Sequence, residues 1–124
     1  MHAQFSEFSY GFAVVNELIR LLPAPLKAAP VFPSLRKEGL PSAGYDVHLN
    51  VPGVPVFLQF KLSEYMVSNK AREAASGALS PPYYRFHIRQ DQYSQQHVAL
   101  CNLAQQHAHL VYYVAPAFHC LFAF

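Results

Sequence analysis

The sequence predicts an α/β domain with a mixed central sheet flanked by helices. Three observations carry this. Apolar residues recur at three and four spacing from Phe5 to Leu22, which is a helical period. Two extended runs, Tyr45–Asn50 and Val54–Leu62, flank a Pro52-Gly53 turn and read as a hairpin. A second helical stretch, Gln92–His109, feeds the short apolar run Leu110–Val114. A helix leading into a strand is the signature of a crossover, so at least one parallel strand pair is expected.

The first helix has Ser6 or Ser9 as its cap and Phe8, Phe12, Val15, Leu18, Ile19 and Leu22 as its apolar side. Glu7 and Glu17 lie on or at the edge of it, and Pro23 and Pro25 stop it. Residues 23 to 43 form a connection with five prolines, in which Val31-Phe32 makes a short extended piece and Leu35–Gly39 a charged, solvated loop. Long loops in short chains are often functional. After the hairpin, Ser63-Glu64 caps a short helix running through Met66, Lys70, Arg72 and Glu73 to Gly77. Pro81-Pro82 ends it, and Tyr83–Ile88 alternates as a strand with Arg85 and His87 on one face. In the helix that follows, Val98, Leu100, Cys101, Leu103 and Ala104 supply the apolar side, with Gln95, Gln96 and His97 in the first turn. There is no internal repeat, and residues 1–124 read as a single domain.

Composition narrows the classes. The 124 residues are 52% hydrophobic and 15% aromatic but only 13% charged, which excludes disorder and points to buried strands or an apolar interface. No apolar run approaches the roughly 18 residues of a membrane span. The N-terminus lacks the basic-then-apolar order of a signal peptide. Cys101 and Cys120 form no Cys-x-x-Cys pair and read as reduced core thiols of a cytoplasmic protein. A net charge of +2 permits a polyanionic partner without demanding one. The last residues, Ala117–Phe124, are apolar to the end, which reads as a truncated C-terminus or a tail docked on a partner chain. With the sparse charge, it points to a homodimer.

Several chemistries are set aside by their missing motifs. Seven histidines make no His-Glu-x-x-His or Cys/His cluster of zinc-ligand spacing, no Gly-x-Ser-x-Gly elbow is present, and there is no Gly-rich phosphate loop. What remains is the hairpin. Residues two apart on a strand share a face, so Gln59 and Lys61 emerge together while Phe60 points into a core. The turn folds Asp46 back towards that pair. An acid, an amide oxygen and a lysine on neighbouring strand ends can hold a divalent metal and a polarised water. The plainer alternative is a surface hairpin whose polar residues are solvated.

The order helix acid, Asp46, Gln59-Phe60-Lys61, strand, Gln95-Gln96-His97 helix, strand resembles the PD-(D/E)xK nuclease superfamily, also called restriction-endonuclease-like, over roughly residues 5 to 115. That pattern is a helix with a glutamate, a strand with an aspartate, a strand ending in (D/E)-x-K, then a helix and a further strand. Gln59 stands where the family usually has an acid, giving a Q-x-K variant of the kind found in Mrr-like restriction enzymes. The resemblance implies a restriction-endonuclease-like core and a metal-dependent nuclease acting on DNA, in restriction or phage defence. It implies Mg²⁺ or Mn²⁺ held by Asp46, the Gln59 side-chain oxygen and the Phe60 carbonyl, with a helix carboxylate added, Glu17 ahead of Glu7. Lys61 would orient the attacking water or stabilise phosphate charge, while Gln96, His97 and Arg85 would contact phosphates. The missing acid keeps a second reading open: an inactive nucleic-acid-binding or protein-interaction module on the same fold. A small-molecule enzyme on an unrelated α/β scaffold is a third.

Overall fold

The computed structural model describes residues 1–26, 28–33, 44–51, 54–88 and 95–120. The Leu35–Gly39 loop, the Pro52-Gly53 turn, the start of the second long helix at Gln92 and the apolar tail from Leu121 lie outside the described residues.

Helix α1 spans Glu7–Leu21. Ser6 is its cap: the Ser6 hydroxyl accepts the Ser9 backbone N–H at 3.0 Å, satisfying one of the donors a helix start leaves unpaired. The expected hairpin forms. Strand β1 (Val47–Val51) pairs antiparallel with β2 (Val54–Phe60), in register from Val47↔Leu58 to Val51↔Val54. Val31 and His48 exchange both backbone hydrogen bonds, so the short extended piece lies along the outer edge of β1. Helix α3 (Gln95–Gln106) leads into β5 (Val111–Val114), which pairs parallel with β2 from Phe57↔Val111 to Phe60↔Val114. The sheet order is β1-β2-β5, so β2 is central and the sheet is mixed.

Alternation along β2 divides the core. Leu58 and Phe60 pack with Val47, Leu49, Tyr10 and Val15 on the α1 side. Phe57 faces the other way, stacked on His48 with ring centroids 4.4 Å apart and 5.0 Å from the ring of His107 at the end of α3. Ala99, Leu100 and Leu103 of α3 are buried. The chain enters β1 through Gly44 at φ +92°, where a side chain would meet the Gln96 carbonyl oxygen at 2.8 Å and the Leu100 nitrogen at 2.9 Å. Only glycine combines that conformation with so close a pass over the helix.

Four expectations change. The predicted helix from Ser63 is a strand, β3 (Glu64–Met66), followed by a single helical turn, α2 (Arg72–Ala75), that ends before Gly77. Strand β3 pairs antiparallel with β4 (Tyr83–Arg85), Tyr65 stacks on Tyr84, and the Tyr65 N–H donates to the Met1 carbonyl. This non-local pairing outweighs helical propensity. Strand β4 stops at Arg85 instead of reaching Ile88. Cys101 is exposed and Cys120 half-buried, so neither is a core thiol. The stripe expected to face inward on α1 largely faces out: Phe8 and Phe12 are 81% and 70% exposed, and of that stripe Val15 is buried, alongside Tyr10 and Gly11. Gly11 allows this, because its missing side chain makes room for the Phe60 ring.

Candidate functional site

The site is assembled where β2 ends beneath the first turn of α1. The Asp46 N–H donates to the Leu58 carbonyl at 2.8 Å, and the Phe60 N–H donates to Asp46 Oδ2 at 2.7 Å. Asp46 thus bonds both neighbours of Gln59, and one step beyond Val47↔Leu58 the register sets Asp46 opposite Gln59. The Lys61 N–H donates to the Val114 carbonyl at 3.0 Å, which anchors the lysine just past the end of β2 against β5.

Two adjoining cavities flank this strand end, and Glu7 lines both. The first, of about 380 Å³, is bounded by Phe8, Phe12, Phe32 and Phe60 with the carboxyl groups of Glu7 and Asp46. The second, of about 300 Å³, is lined by Glu7, Lys61, Glu64, Arg85, His2 and His87. Burial pushes the Glu7 carboxyl above the usual range, the nearby Asp46 carboxylate pushes it further, and Lys61 pulls it back. Glu7, Asp46 and Lys61, from three different elements, therefore lie within electrostatic reach of one another. Among the described residues Lys61 makes no ion pair, so its ammonium is not neutralised at contact distance.

The other expected residues are placed differently. Glu17 pairs with Arg20 at 3.7 Å on the exposed side of α1 and lines neither cavity; Glu7 is the helix acid that meets Asp46. Gln59 is 2% exposed and also lines neither cavity, yet its Oε1 is buried with no hydrogen-bond partner among the described residues. An unpaired buried carbonyl oxygen costs about 1–3 kcal/mol, which an added ligand would recover. Arg85 is held by Glu73, at 2.6 Å, and Glu64, at 3.5 Å, so its charge is largely offset where it borders the second cavity. His97 turns inward: Nδ1 lies 2.6 Å from the Tyr113 hydroxyl and Nε2 3.5 Å from Cys101 Sγ. His97 and Gln96 border neither cavity. His2, Phe8, Phe12 and Phe32 line the cavities without standing out in the sequence as site residues. The one available signal was the Phe8/Phe12 pair, spaced one helical turn apart.

Carboxylate and amide oxygens are the donors a hard divalent cation takes. Glu7 and Asp46 are two carboxylates whose mutual repulsion a cation would relieve, and Gln59 Oε1 is an orphaned buried oxygen opposite Asp46. Among the described residues no three His, Cys, Asp or Glu side chains are grouped closely enough to hold an ion. Amide and backbone carbonyl oxygens would have to complete the set. No helix among the described residues is long and apolar enough to cross a membrane. Comparison of the chain with protein families, with curated proteins and with solved structures finds no match.

Proposed function

We propose that the protein is a metal-dependent nuclease that hydrolyses DNA phosphodiester bonds, built on a restriction-endonuclease-like core with a Q-x-K variant of the PD-(D/E)xK motif. The observation that carries this reading is that Glu7 lines one cavity with Asp46 and the adjoining one with Lys61 at the end of the central strand, where burial and then the Asp46 carboxylate raise proton affinity at Glu7 and the lysine opposes them. The mixed sheet, in which an antiparallel hairpin is followed by a parallel strand, suits the same reading.

Asp46, Glu7, Gln59 Oε1 and the Phe60 carbonyl are the groups that would hold Mg²⁺ or Mn²⁺. When bound, the ion would acidify a coordinated water and offset charge on the phosphate. Lys61, which lines the second cavity and makes no ion pair among the described residues, orients the attacking water or neutralises a phosphate oxygen. Glu7 must be ionised to contribute, and Lys61 favours that form. Arg85 is held by two glutamates, so direct phosphate contact falls chiefly to Lys61, with His2 and His87 beside it.

A non-catalytic module on the same scaffold is the second reading. The uncharged, enclosed Gln59 favours it, since the site then has one acid fewer. Incubating purified protein with plasmid and with single-stranded DNA in Mg²⁺ or Mn²⁺ separates the two. Cleavage lost in both Asp46→Ala and Lys61→Ala supports the nuclease. Cleavage that persists in both variants is contamination and sinks the assignment. DNA binding without cleavage by the wild-type protein supports the module.

A further inference from the structure

We propose that the cavity beside Asp46 receives an unstacked base of single-stranded DNA, with the attached phosphate passing over Glu7 towards Lys61. Three phenyl rings define it. Phe8 and Phe12 stand one turn apart on α1, 81% and 70% exposed, and Phe32, 60% exposed, faces them from the connection that follows. Lone exposed apolar residues are ordinary on protein surfaces, whereas three rings converging on one concave site mark a place for a flat apolar ligand. The volume, about 380 Å³, falls within the range of small-ligand sites.

The polar groups select among flat ligands. Glu7 and Asp46 both line this cavity, and those of their carboxylate oxygens not taken by an ion or by the Phe60 N–H are acceptors suited to the amino and imino groups of a base edge. The second cavity, which shares Glu7, presents Lys61 with His2 and His87, a setting for an anion. A ligand with an aromatic face, donors on its edge and an attached phosphate matches both compartments at once. An apolar peptide or an acyl chain would cover the two carboxylates with hydrocarbon and offer them no donor, which is costly. In duplex DNA both faces of each base are covered by stacking, so the rings can engage only a strand that is already single or opened. Direct phosphate hydrolysis at this place rests on the nuclease reading; base capture by the rings does not.

The full chain is titrated by fluorescence anisotropy into three labelled probes of equal length: a single-stranded oligodeoxynucleotide, its duplex, and an abasic single strand. The titrations use Ca²⁺ and, separately, EDTA. The single strand is expected to bind about tenfold or more tightly than either other probe, and Phe8→Ala or Phe12→Ala to lower its affinity about tenfold each. Both variants leave abasic binding unchanged, Phe12→Trp restores the preference, and Lys61→Ala weakens all three probes. Equal affinity for the based and abasic strands, or no effect of either alanine variant, overturns the proposal. Cleavage assayed in parallel in Mn²⁺ keeps the two readings apart. A protein that cleaves but ignores the bases overturns base capture and leaves the nuclease standing. A protein that prefers based single strands but cleaves nothing supports base capture and ends the nuclease reading.

Discussion

The Phe60 backbone N–H donates to the Asp46 carboxylate at 2.7 Å, so the acid of the candidate site also clamps the end of the central strand. Structural and chemical roles can be separated by two substitutions. Asp46→Asn keeps an oxygen acceptor for the Phe60 N–H and is expected to melt near the wild-type temperature while losing DNA cleavage. Asp46→Ala strands that donor, at a cost of about 1–3 kcal/mol, and is expected to melt about 5–10 °C lower. Thermal melts of the three proteins check this. Equal melting of the two variants would show that the hydrogen bond contributes nothing to the fold.

Glu7 titrates above the ordinary glutamate range because of burial, then Asp46, with Lys61 opposing. The folded state therefore holds the Glu7 proton more firmly than the unfolded chain does. Its contribution to stability falls as pH rises from the ordinary glutamate value through the raised folded value. The residue keeps much of its surface in water, so this effect on stability is small. The larger consequence is for activity: the acid limb of a pH–rate profile lies at higher pH than for an ordinary glutamate. Asp46→Asn removes the charge that raises Glu7, so carboxyl titration followed by NMR should move to lower pH in that variant. No movement would mean that the two carboxyl groups are not neighbours in solution.

Glu73 shifts the opposite way. Backbone hydrogen bonding at Glu73 itself is the main cause of its lowered pKa, followed by the Tyr83 hydroxyl and then Arg85. A depressed carboxylate contributes stability that is present above the unfolded glutamate value and lost as pH falls through the folded one. Glu73→Gln should accordingly melt below wild type at neutral pH, with the difference shrinking in acid. A gap that stays constant with pH would assign the effect to packing.

How far the sequence could be read depended on whether an element's partner was local. The limits of α1 follow from Ser6 and Pro23, and the β1–β2 register follows from strand alternation, so the placement of Asp46 beside the end of β2 was legible. The parallel β2–β5 pair was legible because a helix followed by a strand has few ways to return. The inward face of α1 was not. Tyr10 and Val14 compete with Phe8 and Phe12 for the inward side beside Val15, and the choice turns on Phe60 pressing against Gly11. That same rotation decides between Glu7 and Glu17. Strand β3 was hidden because three residues carry too little pattern to reveal a partner at Tyr83–Arg85. Arg85 and His97 looked available for phosphate only until Glu64, Glu73 and Tyr113 arrived from other elements.

Gly11 is the contact through which α1 holds the strand end. A Cβ there would lie 2.7 and 2.8 Å from Phe60 Cδ2 and Cε2, and the Phe60 ring is buried in the core cluster. Gly11→Ala is therefore expected to destabilise the fold by about 1–3 kcal/mol, outweighing the helix propensity gained. Chemical denaturation gives the value directly. A more stable variant would mean that α1 moves away from β2 at little cost.

Gln59→Glu tests the weakest position in the proposed site. The substitution restores a second strand acid opposite Asp46, but at a side chain that is 2% exposed. Without an ion, a buried carboxylate beside another is penalised by desolvation and by like charge. The variant should melt below wild type in EDTA. If Gln59 Oε1 faces the ion, the added charge strengthens binding, so Mg²⁺ or Mn²⁺ should raise the melting temperature of Gln59→Glu more than that of wild type. Gln59→Leu supplies the control: it removes the orphaned oxygen, should be at least as stable as wild type in EDTA, and should lose the response to the ion. A Gln59→Glu protein that is destabilised in EDTA and not rescued by either cation would place the amide outside the metal shell, leaving metal binding to Asp46, Glu7 and the Phe60 carbonyl among the described residues.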